Sequence, residues 1–238
     1  FRPVMATHDF LQSFRTDLFA EYDAGPIRIG GELRDSRAYG QSGLSSAGVA
    51  EVNSFEPMQA YLAIELKEGK RSAGTVQLGR FTLDIGAGRL AARPDFANSV
   101  NTFTGVLLDW RSAVKDRLAA FWTMPSTRLP NDAKGLRHDA FQLDRARGAI
   151  QFYGASYTRA KLSPTIAGEI YGYGLKERDS VEQPTRNRHL FTYGARLFRP
   201  AKAGVIDFEI DGARQTGRAR ASAAVSDLTD LPVEAYLA

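Results

Sequence analysis

The side chains in this sequence best suited to chemistry are its arginines, which fall on the polar side of stretches where every second residue is apolar. Arg15, Arg28, Arg34, Arg111, Arg117, Arg159 and Arg196 lie in such stretches, and Arg80, Arg89 and Arg93 follow one another along a strand and the connection behind it. A guanidinium stays charged at any working pH and presents a planar fork of donors to a carboxylate. A ladder of such groups along a water-filled wall would select anions and hand a polyanion along without gripping it. Asp84 accompanies Arg80 on the same polar lining, and Asp95, Asn98 and Asn101 become constriction groups if the connection at 85–101 folds inward or belong to an ordinary outside loop if it does not. Asp17, Glu21, Glu32, Glu65, Asp84, Asp109, Glu169, Asp207 and Glu209 share the polar faces, so the competing reading is cross-strand pairing that only stiffens the wall. At the level of sequence both readings stand.

Other chemistry is set aside on spacing. Gly86-Ala87-Gly88-Arg89-Leu90-Ala91 matches a dinucleotide fingerprint formally, but Pro94 follows too soon for the helix whose N-terminus would receive a pyrophosphate. The histidines, His8, His138 and His189, are far apart and none has metal-ligand spacing. There is no cysteine, and no serine, histidine and acid form a legible triad. No cofactor, metal or enzymatic activity is expected. The charges of 125–148, with Arg128, Lys134, Arg137 and Arg145, suit steering of an anion or an ordinary solvated loop. With 31 basic against 27 acidic residues spread along 238, the net charge of +4 gathers into no tail, and nucleic acid is not the expected partner.

The elements that must position these arginines are strands. Apolar Phe14, Leu18, Ala20 and Tyr22 alternate with Arg15, Asp17 and Glu21, and Ile27, Ile29 and Leu33 with Arg28, Glu32 and Arg34. The alternation recurs at 59–66, 117–124 and 206–211, and less cleanly at 75–84, 102–111, 149–159, 165–175 and 189–198, with an eleventh strand beginning near Val233. Connections alternate strictly: short at 23–26, 67–74, 112–115, 160–164 and 199–204, long at 35–57, 85–101, 125–148, 176–188 and 215–232. Tight turns at one end, long loops at the other and strands of about nine to eleven residues are what a transmembrane barrel requires. No window approaches the roughly 18 apolar residues of a membrane helix. Tyr22, Trp110, Trp122 and Phe198 fall near strand ends, where interfacial girdles form. The expected fold is therefore all-β, one antiparallel up-and-down transmembrane barrel domain over 1–238.

Residues 76–110, VQLGRFTLDIGAGRLAARPDFANSVNTFTGVLLDW, resemble the signature segment of the alginate-export family of outer-membrane porins. The resemblance rests on Gly79-Arg80, Asp84 before a Gly-rich turn with Arg89, then Arg93, Asn98 and Asn101 ahead of Phe103, Gly105 and Val106, with a weaker likeness over 55–66. It implies a monomeric barrel of roughly eighteen strands in the bacterial outer membrane, whose arginine-lined pore passes a polyanionic polysaccharide. Against that number, ten or eleven strands leave two bare edges, so the sequence reads as part of a larger barrel. The alternatives are a general anion porin and a soluble carbohydrate-binding β-domain. Facing separates the classes: on the membrane reading an arginine at Leu62 or Phe208 meets lipid, at a cost of about 2–4 kcal/mol.

Overall fold

The computed structural model describes residues 10–41, 45–68, 72–94, 96–179 and 183–238; His8, Asp95 and the turn tip at 69–71 lie outside the described residues. The strands are β1 (Gln12–Asp23), β2 (Ile27–Tyr39), β3 (Asn53–Glu68), β4 (Ser72–Phe81), β5 (Phe103–Ser112), β6 (Arg117–Thr127), β7 (Arg145–Ala146), β8 (Ile150–Arg159), β9 (Ala167–Glu177), β10 (His189–Arg199), β11 (Phe208–Ala219) and β12 (Leu231–Leu237). One short helix, α1 (Ala133–Arg137), lies between β6 and β7. All twelve strands join one antiparallel sheet in chain order, with the two-residue β7 pairing only the tip of β6. This is an all-β up-and-down architecture, and the sheet is open, with β1 and β12 at its edges.

Each expected strand is present, and the differences are local. β3 begins at Asn53 instead of near Gln59, because register shifts opposite Glu32/Leu33 and Arg34/Ser36 break the alternation just where Pro57 suggests a loop. β2 accordingly runs on to Tyr39. β4 stops at Phe81, short of Asp84, and β11 begins at Phe208, two residues after Ile206.

Register sorts the side chains onto two faces. An outer row passes from strand to strand through Tyr22, Ile29, Leu62, Leu78, Val106, Trp122, Tyr153, Gly174 and Phe191. Leu62 is in the middle of this apolar face, whereas Phe208 opens β11 opposite Arg199, at the short-turn end. An inner row runs Arg111, Arg117, Thr158, Glu169, Arg196, Asp211 across β5, β6, β8, β9, β10 and β11. Of the aromatics expected in a girdle, Tyr22, Trp110 and Trp122 are on the outer face. Phe198 is not: it pairs with Glu209 on the inner face, with the Arg196 guanidinium 4.3 Å from its ring centroid.

The main apolar cluster sits on the inner face, under the connection at 82–102. Leu83, Ile85 and Ala91 of that connection pack with Phe81, Phe103, Ala119, Phe121 and Tyr173 of the wall. Two glycines of the wall allow close approach of neighbouring strands. Gly79 and Gly105 are directly opposed across β4 and β5, and a Cβ at either would fall 2.4 Å from the Ala60 carbonyl oxygen or 2.2 Å from that of Trp122. Gly79 also has a φ of +120°, which a side chain strongly disfavours. The glycines of the signature segment thus serve close backbone approach beside the cluster.

Candidate functional site: an arginine-lined wall crossed by a loop

The connection at 82–102 is strapped to both flanks of the inner face, so the sheet curls around it. Arg93 makes a bidentate contact with Glu32 on β2, at 2.6 and 2.8 Å. Arg89 reaches the opposite flank, donating to Asp211 at 2.8 Å and Glu209 at 3.2 Å on β11. Near β1 the chain is held through its backbone: Arg15 donates to the Ala97 carbonyl at 2.7 Å, and Ser36 to the Asn98 carbonyl at 2.5 Å. The Asn98 amide donates to the carbonyls of Glu51, 2.5 Å, and Phe14, 3.4 Å, so its side chain is an anchor. Asn101 and Asp84 are exposed, and Asn101 lines a small cavity with Leu90 and Phe103.

Cavities flank this strap. On its β9–β12 side about 520 Å³ lies between Arg89, Leu90, Tyr171, Tyr173 and Asp211. The two tyrosines stack at 5.3 Å, and Tyr171 donates to Asp211 at 2.9 Å. At the short-turn end lies a cavity of about 580 Å³, lined by four cations, Arg111, Lys115, Arg117 and Arg196, and one carboxylate, Glu169. Gly86 of the strap borders both spaces. A third, of about 490 Å³, gathers Arg15, Arg34 and Arg93 with Asp17 and Glu32.

The inner arginines are paired. Arg196 holds Glu169 at 2.6 Å and Glu209 at 3.0 Å, and Arg117 holds Asp109 at 2.7 Å. Arg34, almost wholly buried, lies 2.5 Å from Asp17 and 3.6 Å from Glu32. Arg28 lies between Glu21 at 3.3 Å and Glu65 at 3.7 Å. Arg111 is the loosest, 66% exposed and 3.5 Å from Asp109. Partial burial strengthens each pair and makes removal of one partner costly, which is how a pairing network stiffens a wall. At the short-turn end four cations, Arg111, Lys115, Arg117 and Arg196, meet three carboxylates, Asp109, Glu169 and Glu209, so a small positive margin is left over there.

Two arginines belong elsewhere than the sequence suggests. Arg80 pairs with Ala60 and Thr104 on the outer face, and its guanidinium turns to Glu56 at 2.5 Å, Asp144 at 3.5 Å and the Thr102 hydroxyl at 2.8 Å. It anchors the connection at 128–149 and lines none of these three cavities. Burial lifts the Asp144 carboxyl above its ordinary range, even though Leu129 and Asn53 donate to it and Arg80 lies nearby. Arg159 is opposite Gly168 on the face of Tyr157 and Ile170, and pairs with Asp116 at 3.3 Å. Followed strictly, alternation places both on the outer face, two residues after Leu78 and Tyr157, at the strand ends where that face carries charge.

Sequence reasoning missed Lys115, Tyr171 and Tyr173. Tyr171 and Tyr173 were legible as alternate residues sharing the face of Glu169. Lys115 lies in a four-residue turn with positive φ, and no pattern in the sequence directs it to a cavity.

No curated protein and no solved structure matches the chain. A family model, described as alginate export, matches residues 4–231, nearly the whole length. On that match, this chain belongs to the alginate export family.

Proposed function

We propose that this chain forms the wall of an outer-membrane channel that passes an anionic polysaccharide, such as an alginate-like polyuronate, or another anionic solute along its inner arginines. The observation that carries the reading is the cation-rich cavity of Arg111, Lys115, Arg117 and Arg196 beneath a strap that itself brings Arg89 and Arg93 to opposite flanks. A solute carboxylate arriving there exchanges with Asp109 or Glu169 for a guanidinium fork, so passage costs no net ion pair. The outer face supports the membrane setting. On β10 the outer residues between His189 and Arg199 are Phe191, Tyr193, Ala195 and Leu197. Ten residues rise about 33 Å along a strand, or about 25 Å after a tilt of roughly 40°, the height of an apolar barrel band. Short turns then face the periplasm and long connections the outside.

The test is single-channel conductance of the full-length protein in planar bilayers, with reversal potential under a salt gradient and block by added polyuronate. Anion selectivity with concentration-dependent block, weakened by Arg89→Ala, Arg93→Ala or Arg111→Ala, is expected. Arg80→Ala should instead loosen the 128–149 connection and leave selectivity unchanged. Cation selectivity, or no block, would reduce the reading to a porin-like wall, and no conductance would favour a soluble carbohydrate-binding sheet.

A further inference from the structure

Along β8, β9 and β10 the outer face carries charge only at the strand ends, Arg159 and Arg199 at one and Lys176 and His189 at the other. At the long-connection end the charges line up. Lys176 of β9 pairs with His189 of β10, which pairs with Arg218 of β11, so three donors stand on adjacent strands in one cross-strand row. Two strand spacings separate Lys176 from Arg218, about 10 Å, a gap their long side chains close around one tetrahedral anion. Lys176 is exposed and has no ion-pair partner among the described residues. Arg218 is more than half exposed and, among the described residues, ion-paired with Asp230 alone at 3.4 Å, leaving donors of its fork open. Just inside this row is an aromatic collar of Tyr153, Phe191 and Tyr193, each about two-fifths to half exposed.

Resting on the membrane-barrel reading above, we propose that Lys176, His189 and Arg218 form an outer-wall docking site for the phosphate monoester of a phosphorylated lipid in the outward leaflet. Lysine supplies a mobile point charge, arginine a planar fork and histidine a ring donor, a set complementary to a phosphate at the headgroup level. The aromatic collar and Ile170 below it provide the surface along which acyl chains lie. Arg214, two outer-face positions further into the band, is neutralised by Glu234 at 2.5 Å and is not part of the site.

The experiment is native mass spectrometry of the full-length protein in detergent, titrated with diphosphoryl lipid A and with the same lipid stripped of phosphate. The intact protein should retain the phosphorylated lipid, and Lys176→Gln with Arg218→Gln should weaken retention about thirtyfold. Lys176→Arg with Arg218→Lys keeps both charges and should keep the lipid, while heat-modifiable gel mobility reports that each variant is folded. Equal retention of the dephosphorylated lipid, or retention by the glutamine variant within about twofold of the parent, overturns the site. Anion conductance measured on the same variants is independent of it, so lost lipid binding is distinguishable from failure of the channel reading.

Discussion

The two longest connections of this molecule, 82–102 and 128–149, start from neighbouring strand pairs and end in different environments. The first lies against the inner face and buries Leu83, Ile85 and Ala91 among wall aromatics, with arginine pairs at both flanks. The second stays at the strand tips and builds structure of its own: Asp132 caps α1, and β7 extends the end of β6. It is fastened by buried polar groups, with Asp144 accepting from Asn53 and from the Leu129 amide, and its own amide donating to Glu56. Apolar residues at every second position, as in Leu83 and Ile85, continue the pattern of β4 and carry the chain onto the wall. In 128–149 no such alternation follows β6, so the chain remains with the solvent-facing tips. Apolar alternation after the strand thus goes with the connection that lies on the wall, and its lack with the one that stays at the tips.

The comparison breaks most visibly if the apolar anchor is removed. Leu83→Ala deletes a wholly buried side chain, one of the three by which the connection enters the cluster, at a cost of about 2–5 kcal/mol. The strap should then detach part of the time, seen as larger and flickering conductance, and amide exchange should rise over 83–91. Phe141→Ala, in the other connection and largely exposed, should change neither measurement. Unaltered conductance in Leu83→Ala would mean that the strap does not narrow the path.

Electrostatic tethers come next. Glu32→Gln with Asp211→Asn keeps side-chain shape but removes the carboxylates that hold Arg93 and Arg89. Arg93 loses the carboxylate it chelates and Arg89 keeps only Glu209 of its two, so the anion-to-cation permeability ratio should rise severalfold and polyuronate block should shift to lower concentration. A fall in selectivity would assign those arginines to wall stiffening alone.

The strands and the alternation of short and long connections were legible because an apolar face repeats every two residues and glycine, proline and charge punctuate the ends. The signature glycines were legible as a motif, but their reason, a directly opposed pair pressed against the backbones of β3 and β6, depends on register. The partners of the arginines were not legible. Arg93 meets Glu32 across 61 positions and Arg89 meets Asp211 across 122, so no local pattern could join them. Arg80 follows Val76 and Leu78 at every second position, so its outer-face place was legible while its partner Glu56 was not.

A smaller effect concerns pH and the fastening of the 128–149 connection. Burial raises the Asp144 carboxyl, so the folded state binds its proton more tightly than the unfolded chain does. Its ionised form therefore costs stability near neutrality. That cost is relieved as pH falls through the raised value, and the gain is complete below the ordinary aspartate value of about 3.9. Exchange of the Leu129 amide, corrected for its intrinsic pH dependence, should slow as pH drops from about 7 to about 4. Asp144→Asn should flatten this response while keeping an acceptor for Leu129.

The smallest expected effect is at the cap of α1. Asp132 accepts from the backbone amides of Lys134 and Gly135 at 3.1 and 2.9 Å, satisfying donors that a five-residue helix cannot pair internally. Asp132→Ala should cost about 1 kcal/mol, confined to 132–140. The same segment ties the connection to its neighbours, since the Asp139 side chain accepts from the Ala38 amide and its carbonyl from the Ser54 hydroxyl. Faster exchange at the amides of Leu136 and Ala38, with conductance and polyuronate block both unchanged, is the outcome that separates a capping loop from a plugging one. A change in block on removing this cap would couple the two connections, because the 128–149 segment would then be positioning the wall on which the strap rests.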